Sequence, residues 1–200
     1  MTFGSLRSRT SGAARDYGAR LRAFSPDARL FLAATVLGGI NIGVSSVLLN
    51  LYIVSLGYGE AFLGSVLRFG PIGAVLGAVL AGPLVDGWGA KRTMLAGTAL
   101  VGGGAVALLV SPDPLVLRSG IALVNMGGAL VYIAVPPFLA RHSSPHERTH
   151  LFAVATAAYV LSTAGGSALG GVLPGLVSSV GPAFDEAQVF RIALFGGAVL

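Results

Sequence analysis

Five apolar stretches, each long enough to cross a lipid bilayer, constrain this chain more than any other feature. They cover residues 30–56, 61–85, 93–110, 115–139 and 151–177 approximately, and a sixth begins near residue 189 and is still apolar at residue 200. A membrane-spanning helix needs about 20 apolar residues to cross ~30 Å of hydrocarbon. Only helices and closed barrels can span the bilayer, because their backbone hydrogen bonds are all satisfied within the protein. The pattern therefore predicts an all-α membrane protein whose sixth helix is truncated.

The overall composition supports a membrane protein and argues against two other classes. Only 10% of the residues are charged, whereas soluble domains have about 25%. The net charge of +5 is spread between apolar runs and does not form one basic face, so we expect no nucleic-acid partner. We expect the chain to be embedded in the lipid bilayer. The chain contains 0 cysteines, which excludes disulfides and cysteine chemistry, and no residue pattern implies a cofactor.

A short charged segment separates the second and third apolar stretches. It runs Gly82-Pro-Leu-Val-Asp86-Gly-Trp-Gly89-Ala-Lys91-Arg92, and its glycines permit a tight turn. The segment resembles the signature of the major facilitator superfamily (MFS) of secondary transporters, which has the form G-x-L-x-D-x-x-G-x-(R/K)-(R/K) in the loop after the second helix. The matching residues are Gly82, Leu84, Asp86, Gly89, Lys91 and Arg92. Gly87 stands where the family usually has an arginine.

The resemblance implies a fold and a function. Residues 28–200 would form the N-terminal six-helix half of a twelve-helix transporter, in which two halves rock about a midplane site. Asp86, with Lys91 and Arg92, would act as a cytoplasmic latch against a helix end of the second half. The expected partners are a small solute of unknown identity and a missing C-terminal half or a partner half. The chain is thus expected to be a fragment of a transporter, with efflux as the family's commonest role. A non-transporting membrane subunit or remnant is the alternative.

The basic residues predict the orientation of the chain. The tail over residues 1–27, which we expect to be disordered, and the start of the first span carry six arginines, and the loops after the second and fourth spans carry two basic residues each. The opposite side has only Arg118 and Arg191 near its span ends. By the positive-inside rule, the N-terminus and the charged segment lie in the cytoplasm, and the protein is a multi-pass protein of the cell inner membrane.

Glycine spacing predicts how the helices pack. Four pairs have G-x-x-x-G spacing, which lets helix backbones approach closely in lipid. These pairs are Gly39/Gly43, Gly73/Gly77, Gly166/Gly170 and Gly171/Gly175. Proline removes a hydrogen bond inside a helix, so Gly70-Pro71 and Pro174 are expected to kink their helices.

Polar residues inside the spans are candidates for lining a central cavity, because their burial in lipid is costly. In the first span, Asn41 and Tyr52 lie away from the glycine face. In the fourth span, Arg118, Asn125 and Tyr132 recur every seven residues and form one stripe. The family's first and fourth helices line its cavity, which the resemblance extends to these residues. The alternative role for the same side chains is hydrogen bonding between helices.

Arg68 lies about seven residues inside the second span. A central arginine costs roughly 2.5–3.5 kcal/mol on insertion scales, and snorkelling lowers that cost. The side chain either attracts an anionic substrate group or reaches the lipid headgroups. No Asp or Glu lies deep within a span, so we expect no proton carrier in this half.

One sequence pattern suggests an enzyme instead. His146-Glu147-Arg148-Thr149-His150 has the H-E-x-x-H form of zinc proteases. The preceding Ser144 and Pro145 complete a helix-capping box with Glu147, which explains these residues as a helix start. A catalytic zinc also needs a third protein ligand, and none follows within reach. We therefore expect no enzyme activity, no catalytic residue and no metal, and keep the zinc membrane protease as a remote alternative.

Overall fold

A computed structural model describes the backbone of residues 26–142 and 145–178, and the side chains of residues 28–140 and 151–175. The predicted tail over residues 1–27 and the incomplete sixth span over residues 189–200 lie outside the described side chains. The described part of the chain is helical throughout, with short connections. Its helices are α1 (Pro26–Ser55), α2 (Glu60–Leu67), α3 (Phe69–Trp88), α4 (Ala90–Val110), α5 (Pro114–His142) and α6 (Pro145–Ser178).

Five helical segments are long and apolar enough to cross a membrane. They are α1, α2 together with α3, α4, α5 and α6, and the stretches that qualify have 21 to 29 residues. At 1.5 Å per residue, such helices extend for about 30–45 Å. The predicted all-α membrane fold with five full spans is confirmed in the described part of the chain.

The second span is broken near its start. Helix α2 ends at Leu67, Arg68 forms a turn, and α3 begins at Phe69. Pro71 explains the position of the break, since proline has no N–H and its ring clashes with the carbonyl four residues earlier, which is that of Leu67. The predicted kink at Gly70-Pro71 is therefore a break between two helices. Pro174, in contrast, lies inside α6 without interrupting it.

Helices α1 and α6 pack along a shared glycine face. A methyl group placed on Gly43 would collide with the carbonyl oxygen of Thr163 and lie 2.6 Å from the backbone nitrogen of Ser167. From the other side, a methyl group on Gly166 would collide with the carbonyl oxygen of Ile40. The Ser167 hydroxyl also donates a hydrogen bond of 3.4 Å across the interface to the Gly43 carbonyl. The glycines at this interface are Gly39, Gly43, Gly166 and Gly170.

Helix α5 packs against α3 on one side through a second set of glycines. A methyl group on Gly73 would collide with the Ala122 carbonyl, and one on Gly77 would collide with the Met126 carbonyl. Both contacts join backbone to backbone. Movement of a side chain therefore could not make room for a larger residue at Gly73 or Gly77. The predicted role of Gly73 and Gly77 is confirmed, as it is for the pairs Gly39/Gly43 and Gly166/Gly170.

On another side, α5 packs against α4 through glycines that are seven residues apart on each helix. Gly97 faces Gly127, and Gly104 faces Gly120, as expected for antiparallel neighbours. This spacing differs from G-x-x-x-G, and the sequence analysis missed it.

The pair Gly171/Gly175 has the predicted G-x-x-x-G spacing. A methyl group on either glycine meets no atom of the described residues within 4 Å, so a packing role for this pair stays a prediction.

Two hydrophobic clusters fill the ends of the bundle. We call the end that contains Gly89 the motif end and the other the far end. The far-end cluster consists of the buried residues Val44, Leu48, Tyr52, Ile53, Val66, Leu108, Leu109, Leu117 and Ile121. The motif-end cluster is centred on Ala28, Leu139 and Leu151. Both clusters join α1 to α5, and they are separated along the bundle by the middle of these helices.

Gly89 alone connects α3 and α4 at the motif end. Its φ of +86° and ψ of 154° lie in a region that only glycine adopts readily. The Gly89 N–H donates to the Val85 carbonyl at 3.0 Å, which closes α3. The Gly89 carbonyl accepts from the Thr93 N–H at 3.2 Å and from the Thr93 hydroxyl at 3.1 Å. Because Thr93 is fully buried, the turn is anchored to the protein interior.

Substitution of Gly43 tests the close contact between α1 and α6. We expect Gly43→Ala to lower the free energy of unfolding by about 1–3 kcal/mol, because the added methyl overpacks a backbone contact. Gly38→Ala is the matched control in the same helix, since its methyl meets nothing within 4 Å. Thermal unfolding of the purified protein in detergent measures both variants. Equal midpoints for the two variants would contradict the close-contact interpretation.

Substitution of Gly89 tests the backbone conformation of the turn. Gly89→Ala should cost about 1–3 kcal/mol of stability, because alanine is strained at this φ and ψ. There is open space around the added methyl, so a steric clash would not contribute. Gly87→Ala, two residues earlier in α3, also meets open space at an ordinary φ and should leave the midpoint unchanged or slightly raised. If both variants unfold at the wild-type temperature, the strained conformation is not needed.

Candidate functional site

The charged motif forms a helix–glycine–helix junction, where a longer loop was expected. Gly82 and Asp86 lie within α3, and Lys91 and Arg92 lie within the first turn of α4. The Gly82 backbone and the side chains of Asp86, Lys91 and Arg92 are all exposed. The motif residues are therefore held by two rigid helices and by the single-residue turn at Gly89.

These charges oppose the dipoles of the helices that carry them. A helix is positive at its N-terminus and negative at its C-terminus, and an opposing charge there costs roughly 0.3–1 kcal/mol. Asp86 occupies the last turn of α3, and Lys91 and Arg92 occupy the first turn of α4. Among the described residues, none of the three has an ion-pair partner within 4 Å. The charges therefore do not stabilise their own helices.

The predicted stripe on α5 becomes more exposed toward the motif end. Arg118 and Asn125 are half-buried, and Tyr132 is 80% exposed. The Asn125 side-chain amide donates to the Ile121 carbonyl of its own helix at 2.9 Å and lies against Gly70 of α3. Tyr132 is thus the member of the stripe that a ligand could reach directly.

Arg118 reaches from α5 to the short helix α2 at the far end. Its Nη2 donates a long hydrogen bond of 3.4 Å to the Ser65 hydroxyl oxygen. Its Cζ atom lies 5.4 Å from the centroid of the Phe62 ring, within the range of a cation–π contact. Its Nε atom is buried, and the described residues give it no hydrogen-bond partner. Tyr58 stacks on Phe62 with ring centroids 4.1 Å apart, which fixes the ring beneath the guanidinium.

The remaining cavity candidates lie on other helices or at their ends. Arg68 is exposed at the break between α2 and α3, with its Cζ atom 5.8 Å from the Phe69 ring centroid. Asn41 is half-buried on α1. Tyr52 is only 1% exposed and belongs to the far-end cluster. Packing against apolar neighbours makes Tyr52 a core residue, so we do not retain it as a cavity-lining residue.

Sequence reasoning missed three residues that support the candidate site. Thr93 holds the turn carbonyl, and a threonine four residues after a helix-breaking glycine was an available signal. Ser65 and Phe62 contact Arg118. No local pattern marks either of them, because their role depends on which helix lies opposite.

The residues of the zinc-protease pattern belong to α6, which begins at Pro145 as the proline at the first helical position predicts. The side chains of His146, Glu147 and His150 lie outside the described residues. Among the side chains that the structure describes, no group of three or more His, Cys, Asp or Glu residues could hold a metal ion.

Comparison with protein families identifies the group to which the chain is similar. Residues 30–199 match the Major Facilitator Superfamily, and this match takes in the first described span from its third residue and the other four in full. No curated protein matches the chain. The family match, the helical membrane fold and the charged junction after the second span agree with one another. The chain therefore belongs to the Major Facilitator Superfamily, whose members transport small solutes across membranes.

Proposed function

We propose that this chain forms one half of a transporter that moves a small solute by alternating access. The second half, which supplies the opposite wall of the pathway, is either a continuation of the chain or a separate partner. Rocking of two helical halves about a midplane site is the general mechanism for transporters built in this way. The solute is unidentified, and efflux is one direction that the proposal allows.

The observation that carries the proposal is the placement of Asp86, Lys91 and Arg92 on a rigid, exposed junction. The charges cost helix stability where they stand, and the described residues offer them no compensating partner. A helix N-terminus of the second half would supply the positive end of a dipole to Asp86. Contact in one state of the transport cycle and release in the other would make the junction a latch.

Polar side chains on α1 and α5 support the second part of the proposal, a solute pathway. Tyr132 is exposed, and Asn41 and Asn125 are half-buried. A bare tyrosine hydroxyl and an amide are poorly suited to contact with lipid chains. We therefore place these three residues, with Arg68 and Arg118 toward the far end, along the wall of the cavity.

The orientation completes the proposal. The excess of basic residues on the motif side supports a cytoplasmic N-terminus and a cytoplasmic Asp86 in the inner membrane. In this orientation the latch closes the cytoplasmic side, and the far-end cluster lies toward the outer surface.

Cysteine labelling tests whether Tyr132 faces an aqueous pathway. The chain has 0 native cysteines, so Tyr132→Cys provides a unique thiol. We expect a membrane-impermeant, charged methanethiosulfonate reagent to label it in intact membranes, because the reagent reaches only hydrated surfaces. Leu161→Cys is the control, since Leu161 is 72% exposed on a largely apolar face of α6 and should remain unlabelled in lipid. Equal labelling of the two positions, or none at either, would contradict the proposed cavity.

The substitution Asp86→Asn tests the latch. Removal of a charge that opposes the α3 dipole should leave the unfolding midpoint unchanged or slightly higher. Loss of the latch should nevertheless shift the balance between the two transport states by about two- to five-fold, the range that corresponds to a charge–dipole contact of roughly 0.3–1 kcal/mol. Labelling of Tyr132→Cys from each side of the membrane, in right-side-out and inside-out vesicles, measures this balance.

Glu60→Gln is the matched control for Asp86→Asn. Glu60 is an exposed acid in the first turn of α2, where the dipole favours it, and it lies at the far end. Its substitution should lower the midpoint slightly and leave the side-dependent labelling unchanged. The latch proposal fails if Asp86→Asn destabilises the protein as Glu60→Gln does, or if labelling from the two sides is unaltered.

A further inference from the structure

The far end contains a positive charge that the described residues do not balance. Arg118 lies four residues after the start of α5, about 6 Å along the helix axis. A guanidinium has five N–H donors, and the described residues accept only one hydrogen bond from it, at 3.4 Å from Ser65. Withdrawing an unpaired charge from water is costly. The local geometry therefore leaves most of the hydrogen-bonding capacity of Arg118 unused.

The acids that the structure describes at the far end do not form an ion pair with Arg118. The Asp113 carboxylate accepts from the N–H groups of Leu115 at 2.8 Å and Val116 at 3.3 Å, and so caps α5. Glu60 is exposed at the start of α2. Neither carboxylate lies within 4 Å of Arg118 to form an ion pair in the described structure.

The surroundings of Arg118 restrict how a partner could approach. Its Nε atom is sealed inside the protein, and one face of the guanidinium lies over Phe62. The side chain as a whole is only half-buried, so guanidinium atoms other than the buried Nε are the ones that a ligand would meet. A planar pair of N–H groups is suited to a carboxylate or phosphate, which accepts two parallel hydrogen bonds.

We infer that Arg118 and Ser65 form a binding site for an oxyanion at the far end of the bundle. Arg118 supplies the charge and the paired donors, and the Ser65 hydroxyl, which accepts from Arg118, is free to donate its own proton to the anion. Phe62 holds the guanidinium in position through the cation–π contact. Two sources share this chemistry, namely the phosphate of an anionic lipid headgroup and a soluble phosphate or carboxylate. The site requires no transport cycle, so it stands or falls separately from the proposed function.

Thermal unfolding of the full chain in nanodiscs separates the two sources. In discs of phosphatidylcholine alone, millimolar inorganic phosphate is compared with chloride at equal ionic strength. In a second set, phosphatidylglycerol replaces part of the phosphatidylcholine and phosphate is omitted. At a ligand concentration ten times the dissociation constant, linkage makes unfolding about eleven-fold less favourable. A rise in midpoint with phosphate identifies a soluble oxyanion, and a rise with phosphatidylglycerol identifies the headgroup.

Variants assign the rise to the site. Arg118→Gln should abolish it, and Arg118→Lys, which keeps the charge but loses the paired donors, should reduce it strongly. Ser65→Ala should reduce it partly. Ser119→Ala is the matched control, because Ser119 is exposed in the same turn and its hydroxyl donates to its own helix, so this variant should keep the full rise.

The choice of variants also covers the case in which one of them does not fold. If Arg118→Gln is unstable, Arg118→Lys and Ser65→Ala decide the question through the size of the rise. The inference is overturned if neither phosphate nor phosphatidylglycerol raises the wild-type midpoint. It is equally overturned if the rise is the same in wild type, Arg118→Lys and Ser65→Ala, because a general salt or lipid effect would then explain it.

Discussion

The fold depends on close contact between helix backbones at glycine. Lipid chains are as apolar as leucine, so burial of apolar surface does little to hold membrane helices together, and packing must do so. Glycine pairs join α1 to α6, α3 to α5 and α4 to α5. Helix α5 contributes to two of these interfaces and is the centre of the described bundle. A side chain at any of these contacts would separate the elements that carry the polar residues.

This packing leaves the functional groups at the two ends of the bundle and along one face of α5. At the motif end, Gly89 reduces the connection to one residue, so Asp86 and Lys91 are fixed by helices and cannot move away from the dipoles that disfavour them. At the far end, the Pro71 break sets Arg68 in a turn, and α2 offers Ser65 and Phe62 to Arg118. At the motif end this arrangement costs helix stability, and at the far end it leaves the Nε atom of Arg118 buried without a hydrogen-bond partner among the described residues.

The sequence predicted the parts of this structure that depend on local chemistry. Apolar length predicted five spans, and the G-x-x-x-G pairs at Gly39/Gly43 and Gly73/Gly77 predicted close helix contacts. Properties that depend on the facing helix were not predictable. Gly97 and Gly104 are packing residues only because Gly127 and Gly120 face them. Tyr52 has the polarity of a cavity residue, but its neighbours make it part of the core.

Charge balance within the membrane links the two ends. Arg68 and Arg118 both lie near the far end, and each would cost roughly 2.5–3.5 kcal/mol if placed at the bilayer centre. The acids of the described chain lie in terminal turns or connections, where Asp113 caps a helix and Asp86 faces outward. The residues that the structure describes supply no ion-pair partner to Arg68, Arg118 or Asp86. If the chain forms one half of a transporter as proposed, lipid headgroups, solute or the facing half would meet these charges.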